Sequence, residues 1–338
     1  MSGGILRGAR IAGIGMCVPE RIVTNAELES MVDTTDEWIV TRTGIRERRI
    51  AAPNEATSDF AYGAAMAALG DAGLRATDID MIVVATCTGD TNSLPATAAF
   101  VQERLGLKGV PAFDIAAACS GFTYGLDLAH QYVATGRMNR VLVIGAETMS
   151  RVVDWNDRST CVLFGDGGGA AVVESCLPGE GILSSVLGAD GSGACLLTVP
   201  GGGTRLPLDE EAIAAGKHHL YMDGKKVYVF ATDIMGTAAL AALDAAGLTP
   251  SDVDLVVPHQ ANVRIIKSAA DRMGLSMDSV FVNVDRYGNT SAASIPIALA
   301  EAVRAGRIVD GSLVVTVGFG AGLTWGANVI RWGTGGRA

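Results

Sequence analysis

The stretch Asp114-Ile115-Ala116-Ala117-Ala118-Cys119-Ser120-Gly121-Phe122 decides how the chain is read. Upstream, Val110 to Ile115 reads as a buried strand. Downstream, Gly121 to Thr135 carries Phe122, Leu126, Leu128, Ala129, Tyr132 and Val133 at helical spacing. Cys119 is thereby placed at a strand-to-helix corner, near a helix N-terminus. Unpaired N–H groups and the positive end of the helix dipole favour a thiolate there, which is the setting a nucleophile needs. A free cysteine is more often a small buried hydrophobe, so the assignment depends on partners elsewhere in the chain.

Working outward, the 338 residues suit two ordinary domains or one large double one. The composition is rich in Gly and Ala and poor in aromatics, which fits a packed α/β protein. A formal charge of −10 argues against a general nucleic-acid binder. No apolar run in the sequence approaches the roughly 20 residues that span a bilayer, and Met1 to Arg10 has no signal-peptide apolar core. Cys17, Cys87, Cys119, Cys161, Cys176 and Cys195 form no C-x-x-C pair and stand at no zinc-ligand spacing with His, so no metal is expected. They read as reduced thiols in a cytoplasm, five of the six being small core residues.

Arg10 to Cys17 is a short strand, and Thr24 begins a helix with Glu27 three residues on as a capping box. Trp38 and Arg42 lie four apart and share a helix face, an arrangement suited either to a nucleotide or to a surface Trp under an Arg stem. Ser58 to Leu74 is helical, ending at Gly73, and Asp78 to Thr86 is a strand buried on both faces. Phe164-Gly165-Asp166-Gly167-Gly168-Gly169-Ala170 lacks the order of a phosphate-binding loop and reads as backbone crowding between strands. Pro200 to Gly216 is a surface excursion.

The second half repeats the first. Ala68-Leu69-Gly70-Asp71-Ala72-Gly73-Leu74 returns as Ala242-Leu243-Asp244-Ala245-Ala246-Gly247-Leu248, and Asp78-Ile79-Asp80-Met81-Ile82-Val83 returns as Asp252-Val253-Asp254-Leu255-Val256-Val257. Ala134-Thr135-Gly136-Arg137-Met138 matches Arg304-Ala305-Gly306-Arg307-Ile308, and that spacing lays Cys119 on Asn289. The period is too long for a solenoid. It implies a duplicated α/β domain with mainly parallel sheets, residues 1–178 carrying the Cys and 179–338 carrying His and Asn. A site at the junction would collect Cys119, His259 after the strand Val256-Val257-Pro258, and Asn289 in Tyr287-Gly288-Asn289-Thr290-Ser291. His130, inside a helix, and His218 and His219, in a polar stretch, read as structural.

These residues carry a resemblance. The chain is similar to the β-ketoacyl-acyl-carrier-protein synthases III, condensing enzymes of the thiolase fold, through Thr35–Arg49, Asp114–Phe122, Phe164–Ala170, His259–Ile265, Gly288–Pro296 and Gly318–Gly326. The resemblance implies five layers, αβαβα, and a homodimer. It implies that Cys119 takes an acyl group from CoA, and that His259 and Asn289 hold the enolate formed when malonyl-carrier loses CO2. The Cys119 N–H and an N–H of Gly318–Gly322 would hold the thioester oxyanion. It further implies adenine between Trp38 and Arg158, a phosphate contact at Arg42, and Gly224, Asn262 and Phe319 along the acyl-CoA. Leu94 would close the acyl pocket of the neighbouring subunit, with short straight or branched primers accepted. Arg264, Lys267 and Arg272 would dock the acidic acyl carrier protein, although Val229 stands where some members have a basic residue and Asp271 interrupts the patch. Gly168 replaces a usual Ala. Acyl-CoA and malonyl-carrier are substrates on this reading, and no cofactor is implied. The product is a 3-oxoacyl-carrier thioester, the first step of fatty-acid synthesis. The rival readings are a ketosynthase or acyltransferase of secondary metabolism, a cysteine hydrolase, because Cys, His and Asn also hydrolyse, and a non-catalytic partner subunit, which would lack the Cys.

Overall fold

A computed structural model describes residues 7–333, so the expectation for Met1 to Arg10 lies largely outside the described residues. The first half runs β1 (Gly8–Cys17), β2 (Ile22–Thr24), α1 (Asn25–Glu29), α2 (Asp36–Thr43), β3 (Glu47–Arg49), α3 (Thr57–Ala72), β4 (Met81–Ala85), α4 (Thr97–Arg104), β5 (Ala112–Ile115), α5 (Gly121–Ala134), β6 (Arg140–Thr148) and β7 (Asp166–Cys176). The second runs β8 (Gly181–Ala189), β9 (Leu197–Thr198), α6 (Glu210–Ala214), β10 (Tyr221–Met222), α7 (Gly224–Ala245), β11 (Leu255–Pro258), α8 (Val263–Met273), α9 (Val284–Tyr287), α10 (Ser294–Arg304), β12 (Leu313–Gly320) and β13 (Thr324–Arg331).

Strands pair in the order β11-β12-β13-β8-β1-β7-β6-β4-β5, with β8 and β1 joined at Ala9 and Gly181. Read from that junction, the two wings have the same plan. β1-β7-β6-β4-β5 on one side corresponds to β8-β13-β12-β11 on the other, and a lone parallel bridge between Val256 and Val280 stands in for the fifth strand. Helices α3 and α4 cover the outer face of the first wing, α7 and α8 that of the second, while α5 and α10 fill the space between the wings. This gives five layers. The apolar residues of the middle layer, among them Phe122, Leu126, Val133, Ile295 and Leu299, form one core with the inward faces of both wings. The expected division at residues 178 and 179 falls in the turn between β7 and β8.

Three local expectations need correction. Thr24 does cap α1, its hydroxyl accepting from the Glu27 N–H at 3.3 Å, but the Glu27 carboxylate pairs with Arg21 instead of closing a capping box. The glycines of β7 are crowded by helices, not by strands. A Cβ on Gly168 would lie 2.6 Å from the Phe60 carbonyl of α3, and one on Gly169 would lie 2.7 Å from Pro296 of α10. Finally, α7 is long and apolar enough to cross a membrane by length and composition. It packs instead through Val227, Ala231, Met235, Ala239 and Leu243 against β12, β13 and α8.

Candidate active site

Cys119 lies in a single 3-10 turn, Ala118–Ser120, that leads into α5, and the turn is set by Ala118 at φ 46°. The second wing has the same corner. Ser291 stands at φ 48° in the turn Ser291–Ala293, which leads into α10. These corners are the true counterparts, so Cys119 corresponds to Ala292, and the expected overlay of Cys119 on Asn289 is displaced by three residues. Two glycines keep the same symmetry: Gly318 of β12 packs on the Cys119 carbonyl, and Gly145 of β6 on the Ala292 carbonyl.

Asn289 nonetheless reaches the junction. Its N–H donates to the Leu163 carbonyl at 2.8 Å, its carbonyl accepts from Gly165 N–H at 3.1 Å, and its side-chain Oδ1 accepts from the Ser291 N–H at 2.8 Å. With Oδ1 engaged, the amide NH2 is the end left for a ligand. His259 follows β11, its N–H donating to the Val317 carbonyl at 2.7 Å, and its Nδ1 lies 2.6 Å from the Ser294 hydroxyl. Its Nε2 is buried with no protein partner among the described residues. Burial brings the His259 pKa down to about 3, so the imidazole is neutral. The ring stands edge-on to Phe319 at 5.6 Å. Cys119, His259 and Asn289 line one cleft, whose walls include Phe164, Gly224, Val227, Asn262, Phe319 and Gly320.

The surroundings of the Cys119 thiol pull in two directions. Cys119 is buried, and burial pushes its pKa up to about 12, helped by the neighbouring Glu147 carboxylate and opposed by a hydrogen bond with the Ser291 hydroxyl. Burial thus works against the thiolate that the helix terminus favours. Fewer cysteines than the expected five are core residues: Cys161 and Cys176 are buried with Cys119, Cys17 is half-buried, and Cys87 and Cys195 are exposed. Next to Cys119, Gly320 is the last residue of β12, so the expected oxyanion loop is a strand end. A Cβ there would lie 2.6 Å from the Cys119 backbone nitrogen.

Residues 113–191 match the family described as 3-oxoacyl-[acyl-carrier-protein] synthase III, and residues 243–332 match its C-terminal part. A β-ketoacyl-[acyl-carrier-protein] synthase III of Symbiobacterium thermophilum is 56% identical over 97% of this chain and 99% of its own. The synthase III of Thermus thermophilus, a solved structure, is 51% identical, with a TM-score of 0.89 over 96% of this chain and 99% of that one. The chain belongs to the 3-oxoacyl-[acyl-carrier-protein] synthase III family. The priming β-ketosynthase of a polyketide pathway is more distant in sequence, 38% identical with a TM-score of 0.90 over 98% of both chains. The thiolase fold and the resemblance read from the sequence are thus borne out, and the enzyme is a condensing acyltransferase of fatty-acid biosynthesis.

The remaining expected site residues are scattered around the synthase cleft. Gly224 opens α7 and Asn262 caps α8, accepting from the Arg264 N–H at 2.8 Å and donating to the Arg42 carbonyl at 2.9 Å. Trp38, Arg42 and Arg158 form a group outside the cleft lining, with the Arg42 and Arg158 guanidiniums 4.6 and 5.3 Å from the Trp38 ring centre. Leu94 is 87% exposed and does not line the cleft of its own chain. The expected cationic patch is largely neutralised. Lys267 pairs with Asp271 at 2.7 Å and Arg272 with Asp233 at 2.5 Å, whereas Arg264 has no carboxylate partner among the described residues. Sequence reasoning passed over Ser291 and Glu147. Their only signal was position, Ser291 two residues after Asn289 and Glu147 at the end of a buried strand.

Proposed function

We propose that this synthase III joins an acyl-CoA primer to malonyl-acyl-carrier-protein by a decarboxylating Claisen condensation. Cys119 accepts the acyl group as a thioester and releases CoA. Malonyl-carrier then enters and loses CO2, and the resulting enolate attacks the acyl carbon, freeing Cys119 and leaving a 3-oxoacyl-carrier thioester. One observation carries the reading. Cys119, His259 and Asn289 line one cleft, the His259 Nε2 has no protein partner among the described residues, and the Asn289 Oδ1 is taken by the Ser291 N–H. Two neutral donors in the same cleft as a buried nucleophile suit an oxyanion that appears only in the reaction. With its pKa near 3, His259 is a poor general base but a good neutral donor, Ser294 fixing the other ring nitrogen.

In the same proposal CoA lies along Gly224, Asn262 and Phe319, with its adenine between Trp38 and Arg158 and a phosphate at Arg42. The Arg158 guanidinium is 5.3 Å from the Trp38 ring. A flat base needs two van der Waals layers, about 7 Å, so Arg158 swings outward when CoA binds. The carrier docks around Arg264, and the enzyme works as a cytoplasmic homodimer without a cofactor. The test is stoichiometry. Incubation with a short acyl-CoA and malonyl-carrier should yield 3-oxoacyl-carrier, CoA and CO2 in equal amounts. Free acid and CoA without 3-oxoacyl-carrier would mean a hydrolase.

A further inference from the structure

Glu147, near the C-terminal end of β6, carries a fully buried carboxyl group outside the cleft lining, and the condensation as derived above makes no use of it. Its oxygens accept from the Cys87 N–H at 3.1 and 3.2 Å, the Thr88 N–H at 3.0 Å, the Thr86 hydroxyl at 3.2 Å, the Cys87 thiol at 3.2 Å and the Thr88 hydroxyl. These donors all belong to the segment that follows β4. One contact crosses to the other half of the chain: the Ser291 hydroxyl donates to Glu147 Oε1 at 3.0 Å. The Ser291 N–H in turn donates to Asn289 Oδ1 at 2.8 Å. Two hydrogen bonds therefore join Glu147 of the first half to Asn289 of the second.

Ser291 needs to be held. Its φ of 48° lies in the left-handed region, where a residue with a Cβ is strained. The matching corner of the first half, Ala118 at φ 46°, has no side-chain donor of its own and is pinned through its neighbour. There the Ala117 carbonyl accepts from the Ser120 hydroxyl at 2.7 Å and from the Thr324 hydroxyl of β13 at 3.0 Å. Each corner is thus tied to a strand of the opposite half: the Cys119 corner to β13 through Thr324, and the Ser291 corner to β6 through Glu147.

We infer that Glu147 is a positioning residue for Asn289, acting through Ser291. The inference rests on Asn289 donating to the enolate formed in decarboxylation. An Asn amide has two ends of nearly the same shape and opposite hydrogen-bonding character. Only the NH2 end stabilises an enolate oxygen; the Oδ1 end repels it. By engaging Oδ1, the Ser291 N–H leaves the NH2 end for the ligand. A corner free to relax from its strained φ would carry that N–H away from Oδ1, and the amide would be free to turn over. The bond from the Ser291 hydroxyl to Glu147 opposes this relaxation. The role involves no proton transfer: Glu147 has only to present one oxygen to the Ser291 hydroxyl.

The experiment compares wild type, Ser291→Ala, Glu147→Gln and Asn289→Ala, with each of the first two changes also combined with Asn289→Ala. Each protein is loaded from acetyl-CoA, followed by intact mass, and then given malonyl-carrier while CO2 release is timed in a single turnover. Ser291→Ala keeps the N–H and removes only the hydroxyl tie. It should slow CO2 release by up to roughly 10²-fold, the loss that follows a displacement of about 1 Å at a reacting centre, while loading slows far less. Glu147→Gln should give the same split, because an amide accepts at one end only and must give up either the Ser291 hydroxyl or the N–H groups of Cys87 and Thr88. Added to Asn289→Ala, neither change should slow CO2 release further, because the three residues act as one unit; a change that merely loosened the fold would add its loss there too. If Glu147→Gln does not fold, Ser291→Ala and its double variant decide alone. Wild-type CO2 release in folded Ser291→Ala, equal losses in loading and CO2 release, or losses that multiply in the double variants would overturn the inference. Asn289→Ala alone tests the underlying reading, since wild-type CO2 release there removes the enolate role of Asn289 and not just its positioning.

Discussion

His259 links the chemistry of the site to the stability of the protein. In the folded chain it stays neutral down to about pH 3, because burial disfavours the imidazolium. In the unfolded chain it takes a proton near its ordinary 6.5. Between those values the unfolded state binds more protons, so stability contributed above pH 6.5 is lost as the pH falls through the window. The slope approaches about 1.4 kcal/mol per pH unit. Thermal melts between pH 6.5 and 5 should show wild type losing stability more steeply than His259→Ala. Parallel losses would mean that His259 titrates normally in the folded protein. The residue scale was also where the sequence was least complete. Cys119 and His259 were legible from their place after strands, whereas Asn289 follows α9 and not a strand; the burial of the Cys119 thiol was not legible, because helix position is visible in a sequence and tertiary burial is not. Ser291 and Glu147 were hidden for the same reason: they are joined across 144 residues of chain.

Among the elements, α8 shows how side-chain pairing changes the meaning of a charge pattern. Read along the sequence, Arg264, Lys267 and Arg272 form a basic patch. In the fold, Asp271 one turn after Lys267 and Asp233 on α7 claim two of the three cations. Carrier recognition on this helix should therefore depend chiefly on Arg264. Arg264→Glu should raise KM for malonyl-carrier severalfold, an effect weakened by salt that screens exposed charges over about 8–10 Å, and should leave loading from acetyl-CoA unchanged. Equal damage from Lys267→Glu would show that the ion pair with Asp271 opens freely and that the helix face acts as a whole. The same scale explains the displaced repeat. α5 has 14 residues and α10 has 11. Aligning the two halves at the ends of these helices slips their starts by the difference, and Cys119 falls on Asn289 instead of Ala292. The duplicated architecture was legible because both copies keep their helix-strand phrases; the register was not, because helix length is set by packing.

At the scale of the molecule, Leu94 projects into solvent although it is a large hydrophobe, and it is absent from the cleft of its own chain. If it closes the acyl pocket of a second copy, Leu94→Phe should narrow the primer range toward acetyl and Leu94→Ala should admit longer chains. One methylene in such a pocket is worth about 1–3 kcal/mol. The kcat/KM values across a chain-length series would read this directly, and a profile that ignores residue 94 would remove the loop from the pocket. The enzyme's central chemistry is a covalent detour through one buried sulfur at the junction of two similar halves, and it can be followed by mass. The protein is exposed to acetyl-CoA, digested and mapped, and a parallel sample is chased with malonyl-carrier before digestion. The account predicts one acetyl group on Cys119, lost in the chase as 3-oxoacyl-carrier appears in equal amount. An acetyl group on exposed Cys195 or on Cys87 with Cys119 unmodified, or a chase that releases acetate, would contradict it.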